Sequence, residues 1–153
     1  QAPDTPAYKV TYDASATDDQ ITISSTLKIA GLSLNKKYDG QINIYIPKDY
    51  HFSEITLDTG VSEINTPNIY TNTDQLNIIA SFGDVDINIE NPLPHLNVLC
   101  DMGSIDIDVE DPIDELEIEC AMGSVDLNID DPIGKLSVIT SMGNTEINAS
   151  DPI

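Results

Sequence analysis

Apolar residues occupy alternate positions along most of the second half of the chain. Leu96, Val98 and Cys100 alternate with Asn97 and Leu99, and the alternation resumes at Ile105 and Ile107 around Asp106. Strict period-two alternation is typical of a β-strand with one buried face. No stretch of the chain shows the 3.6-residue period of an amphipathic helix. The pattern therefore predicts an all-β protein built from short strands.

The alternating pattern recurs every 20 residues. Glycine, proline and leucine each keep this spacing in one common register over four copies. These positions are Gly83, Gly103, Gly123 and Gly143; Pro92, Pro112, Pro132 and Pro152; and Leu76, Leu96, Leu116 and Leu136. A fixed period of this length is the signature of a stacked repeat architecture.

Each repeat predicts two strands joined by two tight corners. Gly103 stands where the chain turns between the strands, and Asp111-Pro112 ends the second strand because proline has no N–H for a ladder bond. One such unit cannot bury its apolar face, but stacked copies can, with each strand pairing in parallel with its counterpart. We therefore expect a parallel β-solenoid (β-helix) of about six rungs, right-handed by the crossover rule.

The repeat extends more weakly toward the N-terminus. Gly40 and Gly60 are 20 residues apart, whereas Gly60 and Gly83 are 23 apart, so we expect about three extra residues near 68–74. Upstream, residues 8–12 and 21–23 alternate like strands around a turn at 14–19. We therefore expect a single domain, residues 1–153, with irregular capping strands in 1–39 and repeat rungs in 40–153.

The segment from Ile42 to Phe52, followed by Ile55-Thr56-Leu57-Asp58-Thr59-Gly60, resembles the start of a bacterial adhesin family whose domains have no known function. The later Gly-x-Val-Asp-Ile-x-Ile rungs are similar to the rest of that family, so the resemblance covers roughly residues 40–153. It implies a bacterial β-solenoid domain that is secreted or on the cell surface, with no catalytic residues to carry over. Strong acidity and the two cysteines depart from the family average.

The chain has 27 acidic residues, six lysines and no arginine, for a net charge of -21. Nearly all of this charge lies after residue 50, where Lys135 is the only base. Such a surface repels nucleic acid and anionic membranes, so we expect neither as a partner. It could attract cations or basic partners, or it could simply keep a β-rich protein soluble.

The 20-residue register is expected to place acidic and amide residues in outward rows. One row is Asp86, Asp106, Asp126 and Glu146; a second is Asn88, Asp108, Asn128 and Asn148; a third, at the proline corner, is Asn91, Asp111, Asp131 and Asp151. Oxygen ligands of this kind suit Ca²⁺, but the Gly-Gly-x-Gly-x-Asp pattern of calcium-binding rolls is absent. We therefore favour a solvated face and predict no metal-binding residue.

Cys100 and Cys120 fall at the same inward position of neighbouring rungs. Ala80 and Thr140 are their equivalents, which indicates a slot for small side chains, and we expect two reduced, buried thiols. In-register strands hold the two Cβ atoms about 4.8 Å apart, farther than a disulfide prefers. The adjacent column of Phe82, Met102, Met122 and Met142 is interpreted as core packing.

Catalysis has little support in the sequence. His51 and His95 lie in dissimilar contexts, and neither a Gly-x-Ser-x-Gly motif nor a phosphate-binding glycine loop occurs. We predict no catalytic or cofactor-binding residue, no cofactor, and a non-catalytic structural or adhesion-type module with an unknown surface ligand or protein partner. The alternative is a polysaccharide-active β-helix enzyme that uses two surface carboxylates.

Both ends of the chain look like the edges of an excised fragment. Residues 1–6 lack the features of a signal peptide, and no apolar run approaches the length of a membrane span. A signal or anchor is therefore expected outside this chain, with an extracellular or cell-surface location. The sequence stops within a repeat at Asp151-Pro152-Ile153, so the last rung is expected to be open and to allow weak homo-association.

Overall fold

The computed structural model describes residues 8–16, 20–29, 51–61, 63–66 and 72–150. Within these ranges the chain is an all-β parallel β-solenoid of about five turns and contains no helix. Consequently, no helix in this part of the chain is long and apolar enough to cross a membrane. The fold class predicted by the 20-residue repeat is confirmed.

Two sheets form the walls of the solenoid. The larger sheet contains seven strands, in the order β1 (Tyr8–Ala16), β2 (Gln20–Ile29), β3 (His51–Thr59), β5 (Asn72–Phe82), β7 (Leu93–Met102), β9 (Ile113–Met122) and β11 (Ile133–Met142). The smaller sheet contains five, in the order β12 (Thr145–Ala149), β10 (Val125–Ile129), β8 (Ile105–Val109), β6 (Val85–Ile89) and β4 (Ile64–Thr66). Each turn of the solenoid therefore contributes one long strand and one short strand.

The strands stack in the register that the repeat predicts. From β5 and β6 onward the strands pair in parallel with partners 20 residues away, as Leu96 of β7 pairs with Leu116 of β9 and Ile107 of β8 pairs with Leu127 of β10. Each alternate side chain points between the sheets, so Val98, Ile107 and Leu116 are fully buried. The core is thus a set of aliphatic columns that run along the axis of the solenoid.

A hairpin lies against the first turn. β1 and β2 pair antiparallel, from Tyr8 with Ile29 to Ala16 with Ile21, and β2 pairs in parallel with β3. The two strands expected near residues 8–12 and 21–23 are confirmed, and both are longer than the pattern indicated. The hairpin continues the large sheet beyond the first turn. The expected rung around Gly40 lies outside the described residues.

The first described turn has a different register from the one expected. Ile55 pairs with Leu76 and Ile64 pairs with Val85, an offset of 21 residues in both sheets. By this offset Gly60 corresponds to Ser81, and it is not the counterpart of Gly83. The expected insertion of three residues is therefore wrong: one extra residue is enough, and it lies between β4 and β5. Gly60 falls two residues before the corner position, which explains the misleading spacing.

Glycine is required at the corners because successive corners stack backbone on backbone. Gly83, Gly103, Gly123 and Gly143 all have φ between 143° and 151°, a region that side chains disfavour. A Cβ on Gly103 would lie 2.0 Å from the carbonyl oxygen of Gly83. The amide of Gly103 donates to Met122 across the rungs, at 3.1 Å. The hydrogen-bond ladder therefore continues through the corner without a break.

The last turn of the solenoid is the most exposed. β12 is exposed along its whole length, and Leu136 and Val138 of β11 are only partly buried. Within the described residues nothing pairs with the outer edges of β11 and β12. Within the described residues, the last turn therefore has an unpaired edge and an apolar stripe that is only partly buried.

Candidate functional site

An acidic row runs along the outer face of the small sheet. Asp86, Asp106, Asp126 and Glu146 pair in register on β6, β8, β10 and β12, and all four are exposed. We call these four residues the acidic ladder. Neighbouring members are about 4.8 Å apart along the axis, the spacing of paired strands. None of the ion pairs among the described residues involves this ladder.

A row of amide and carboxyl side chains lies beside the acidic ladder, and its members hydrogen-bond to one another. Asn128 donates from Nδ2 to Asp108 Oδ1 at 2.9 Å, and Asn148 donates to Asn128 Oδ1 at 3.1 Å. At the proline corner, Ser150 donates to Asp130 at 2.7 Å. The polar side chains of this face thus bond to their counterparts one rung away, and they do not converge on one point.

Asp106 experiences the strongest effect of the crowded carboxylates. Its pKa is raised, first by partial desolvation and then by the negative charges of Asp108, Asp126 and Asp86. A raised pKa means that ionisation of this carboxyl is less favourable in the folded chain than in the unfolded chain. The ladder therefore lowers the stability of the solenoid at neutral pH.

Replacing Asp106 by asparagine is expected to stabilise the chain at neutral pH. Because the folded pKa of Asp106 is raised, its contribution to stability is full below the unfolded pKa and is lost as pH rises through the folded pKa. The gain from D106N should therefore appear at pH 7 and vanish near about pH 3. Urea unfolding of both proteins at the two pH values measures it.

Glu115→Gln provides the opposite control. The pKa of Glu115 is lowered, chiefly by its hydrogen bond to Lys135, so its ionised form is favoured by folding. E115Q should lose a little stability at pH 7, and the loss should vanish as pH falls. If D106N and E115Q shift the urea midpoint in the same direction at pH 7, like-charge repulsion is not what destabilises the ladder.

Basic side chains are found on the outer face of the large sheet. Lys135 bonds to Glu115 on the neighbouring strand and lies 3.4 Å from Glu117. His95 Nδ1 lies 3.4 Å from Glu115 on the other side, and His51 Nε2 lies 3.2 Å from Asp74. This face therefore carries charges of both signs, in contrast to the described outer face of the small sheet, which carries carboxyl and amide groups and no base.

The two cysteines are neighbours in the core, as expected. Cys100 pairs with Cys120 in register, both are free, and both have no exposed surface. Each thiol points at the backbone of the preceding glycine corner, with Cys100 Sγ 3.6 Å from Gly83 O and Cys120 Sγ 3.7 Å from Gly103 O. Desolvation, aided by Cys120, raises the pKa of Cys100 to about 11. Buried thiols of this kind are chemically inert.

Both thiols are expected to resist alkylation in the folded chain and to react fully in denaturant. Since the folded pKa of Cys100 lies above its usual 9.0, its stabilising contribution is present below pH 9 and is lost as pH rises through about 11. A double variant, Cys100→Ala with Cys120→Ala, has no thiol to ionise, so it should lose less stability than the wild type over this alkaline range. Alanine fits the slot, since Ala80 occupies the equivalent position. Reaction of the native thiols at pH 8 as fast as in denaturant would contradict their burial.

The methionine column is not part of the core, contrary to expectation. Phe82 is 47% exposed, Met122 39% and Met142 61%, and Met102 is only partly buried. In the alternating pattern these residues fall on the same side of the strand as inward-facing Cys100. Each of them, however, directly precedes a glycine corner, where the chain passes from one sheet to the other. A side chain at this point lies at the edge of the sandwich and not between its walls.

Two features of the described ranges bear on chemistry at a single point. No group of three or more histidine, cysteine, aspartate or glutamate residues there is arranged to hold a metal ion. A surface depression of about 450 Å³ is lined by Ile129, Ile147 and their neighbours in the last turn.

The fold and these surfaces define a parallel β-solenoid with one acidic face, one mixed-charge face and an apolar corner. No family model, no curated protein and no solved structure matches the chain. The resemblance to the adhesin family therefore stays a prediction.

Proposed function

We propose that the chain is a non-catalytic structural or adhesive module that acts outside the cell, secreted or at a bacterial cell surface. The observation that supports this most is the periodicity of the outer faces. Asn128 and Asn148 use their amides on equivalent residues one rung away, so polar groups are spread along the axis. A repeated flat surface suits multivalent contact with an extended ligand better than one chemical step at one point.

A binding screen that also detects turnover tests this proposal. The chain is incubated with a panel of polysaccharides and extracellular matrix proteins, with and without Ca²⁺, and both retention and release of new reducing ends are measured. We expect retention of at least one ligand without any release. Turnover that Asp106→Asn abolishes would overturn the proposal and establish the polysaccharide-active alternative.

The enzyme alternative depends on one feature, the raised pKa of Asp106. A glycosidase needs one carboxyl that stays protonated and a second that stays ionised. Partial desolvation raises the pKa of Asp106 first, and the neighbouring carboxyl groups of Asp108, Asp126 and Asp86 raise it further. These effects therefore explain the raised pKa without a catalytic role, and binding remains the better proposal.

We also propose weak pairing of two copies through the open end. The charged residues of the last turn, residues 133–150, are Lys135 and Glu146. The preceding turn, residues 113–132, has seven acidic residues and no basic one. Two such ends in contact would keep the strongly acidic rungs about 14 Å apart, beyond the Debye length of about 8 Å at physiological salt. Exposed Ile147 and the free edges of β11 and β12 would supply the contact.

Sedimentation at low and high salt is expected to show a monomer that associates weakly as salt increases. Ile147 is 40% exposed, so Ile147→Lys should not disturb the fold, but it adds two like charges to the pairing surface. This variant should stay monomeric at every salt concentration. A wild-type chain that stays monomeric at about 0.5 M salt, where the Debye length is about 4 Å, would reject end-to-end pairing.

A further inference from the structure

A continuous apolar ridge follows the glycine edge of the solenoid. It consists of Phe82, Met102, Met122 and Met142, which pair in register on four successive long strands. We call these four residues the corner ridge. At about 4.8 Å per rung the ridge is about 14 Å long. Three of its four members are more than a third exposed, an unusual concentration of large apolar groups on so acidic a chain.

Small side chains flank the ridge and leave it accessible. On one side, the residues that precede it are Ser81, Asp101, Ala121 and Ser141. On the other side lie the corner glycines, followed by Asp84, Ser104, Ser124 and Asn144. Ser124 and Ser104 bond to each other at 3.2 Å, and Asp84 accepts from the backbone of Ser104 at 2.8 Å. Nothing bulky therefore separates a partner from the ridge.

The acidic ladder runs parallel to the corner ridge. Each ladder residue follows its ridge residue by four positions, as Asp106 follows Met102 and Asp126 follows Met122. Four extended residues span at most about 13 Å, so the distance between the two rows is at most slightly larger than the helix diameter of about 10–12 Å. In the described residues no lysine pairs with the ladder, and the carboxylates repel one another. An apolar row beside an unneutralised acidic row is complementary to a chain segment with the opposite charge and a matching apolar stripe.

We propose that the corner ridge and the acidic ladder together form a docking surface for a cationic amphipathic helix of a partner protein. Helical residues at i, i+4 and i+7 are about 5–6 Å apart, close to the spacing of the ridge, and about 10 residues of helix cover its length. Methionine adapts its shape to different apolar partners. A second copy of this chain is a poor occupant, since it would bring another acidic ladder to the same edge.

This proposal rests on the proposed function, because it names a partner class for a binding module. Its probe is a synthetic peptide of about 14 residues, with leucines at helical i, i+3, i+4 spacing and lysines on the flanking positions. An isomer of identical composition, with the leucines spread around the helix, is the control for charge alone. Binding is measured by fluorescence anisotropy at about 50 mM and about 300 mM salt.

The amphipathic peptide should bind at least about tenfold more tightly than its scrambled isomer. Met122→Thr with Met142→Thr should weaken binding about tenfold at both salt concentrations. Asp106→Asn with Asp126→Asn should weaken it mainly at low salt and flatten the salt dependence. Ile139→Thr is the matched control: Ile139 is 55% exposed but lies on the outer face of the large sheet, so binding should not change.

Four outcomes would overturn the proposal. Equal affinity for the two peptides would show that charge alone drives binding, and unchanged affinity in the Met122 and Met142 variant would remove the ridge from the interface. The free chain could instead self-associate in a way that Met122→Thr abolishes and Ile147→Lys does not. That result would show that the corner ridge binds a second copy of the chain. Circular dichroism and thermal midpoints confirm that each variant is folded. If the panel screen finds a retained ligand but the peptide does not bind, this partner class is rejected. The proposal that the chain is a binding module would then still stand.

Discussion

Alanine at position 123 is expected to unfold the solenoid or to cause the largest loss of stability of any single-methyl addition. A Cβ on Gly123 would lie 1.7 Å from the carbonyl oxygen of Gly103, which is backbone and cannot move aside. The φ of Gly123 is 150°, and a side chain held in such a region costs about 1–3 kcal/mol before any clash. Domains of this size are stable by only about 5–15 kcal/mol.

The loss should spread beyond the corner itself. The amide of Gly123 donates to Met142 at 2.9 Å, and the amide of Gly103 donates to Met122, so a displaced corner breaks the ladder between three rungs. Thermal unfolding monitored by circular dichroism measures the effect.

Ser124→Ala is the matched control for Gly123→Ala. Ser124 is exposed and adjacent to Gly123 in the chain, and its side-chain hydroxyl donates a hydrogen bond to Ser104 on the neighbouring rung. This variant should change stability by no more than about 0.5 kcal/mol. A Gly123→Ala protein with the thermal midpoint of the wild type would contradict the close stacking of the corners.

The glycine stack also explains why the fold could be predicted. Because each corner contacts the next one directly, a glycine is required at one position in every rung, and the 20-residue spacing appears in the sequence. The same holds for Leu96 and Leu116, whose pairing fixes the inward face. Repetition converts local patterns into a register, and a register of parallel strands leaves few alternatives to a solenoid.

The expectations failed where the repeat is interrupted. Gly60 has the right residue type and spacing relative to Gly40, but the pairing of Ile64 with Val85 puts the corner position two residues later. Glycine alone does not identify a stacked corner, because turns use it for the same conformational freedom. Only strand pairing, which the sequence does not show directly, distinguishes the two uses.

The corner ridge was missed for a related reason. Period-two alternation places Met102 on the same side of the strand as Cys100. Alternation alone does not show where a sheet of the solenoid ends. The position of Met102 directly before Gly103 was the available signal, since a residue at a corner has neighbours on fewer sides. The acidic ladder was predicted correctly because its members lie mid-strand, where parity and register are sufficient.

Aspartate at position 107 is expected to unfold the domain. Ile107 is fully buried, and its neighbours on β6 and β10 are Ile87 and Leu127, also without meaningful exposure. These aliphatic side chains offer no hydrogen-bond donor to a carboxylate, so the new side chain must be buried unpaired or break the stack. Loss of the isoleucine alone leaves a cavity, which typically costs about 2–5 kcal/mol. Together these terms match or exceed the stability of a typical domain.

Ile139→Asp separates the effect of burial from that of the residue change. Ile139 is 55% exposed on β11, so the same substitution there should cost little and leave the strand signal in far-UV circular dichroism intact. Ile107→Asp should instead lose that signal at room temperature and should bind a dye for exposed apolar surface. Since both variants add the same negative charge to the chain, any difference between them measures the core and not the net charge. A folded Ile107→Asp protein with cooperative unfolding near the wild-type midpoint would mean that the column between the two sheets is not the principal core.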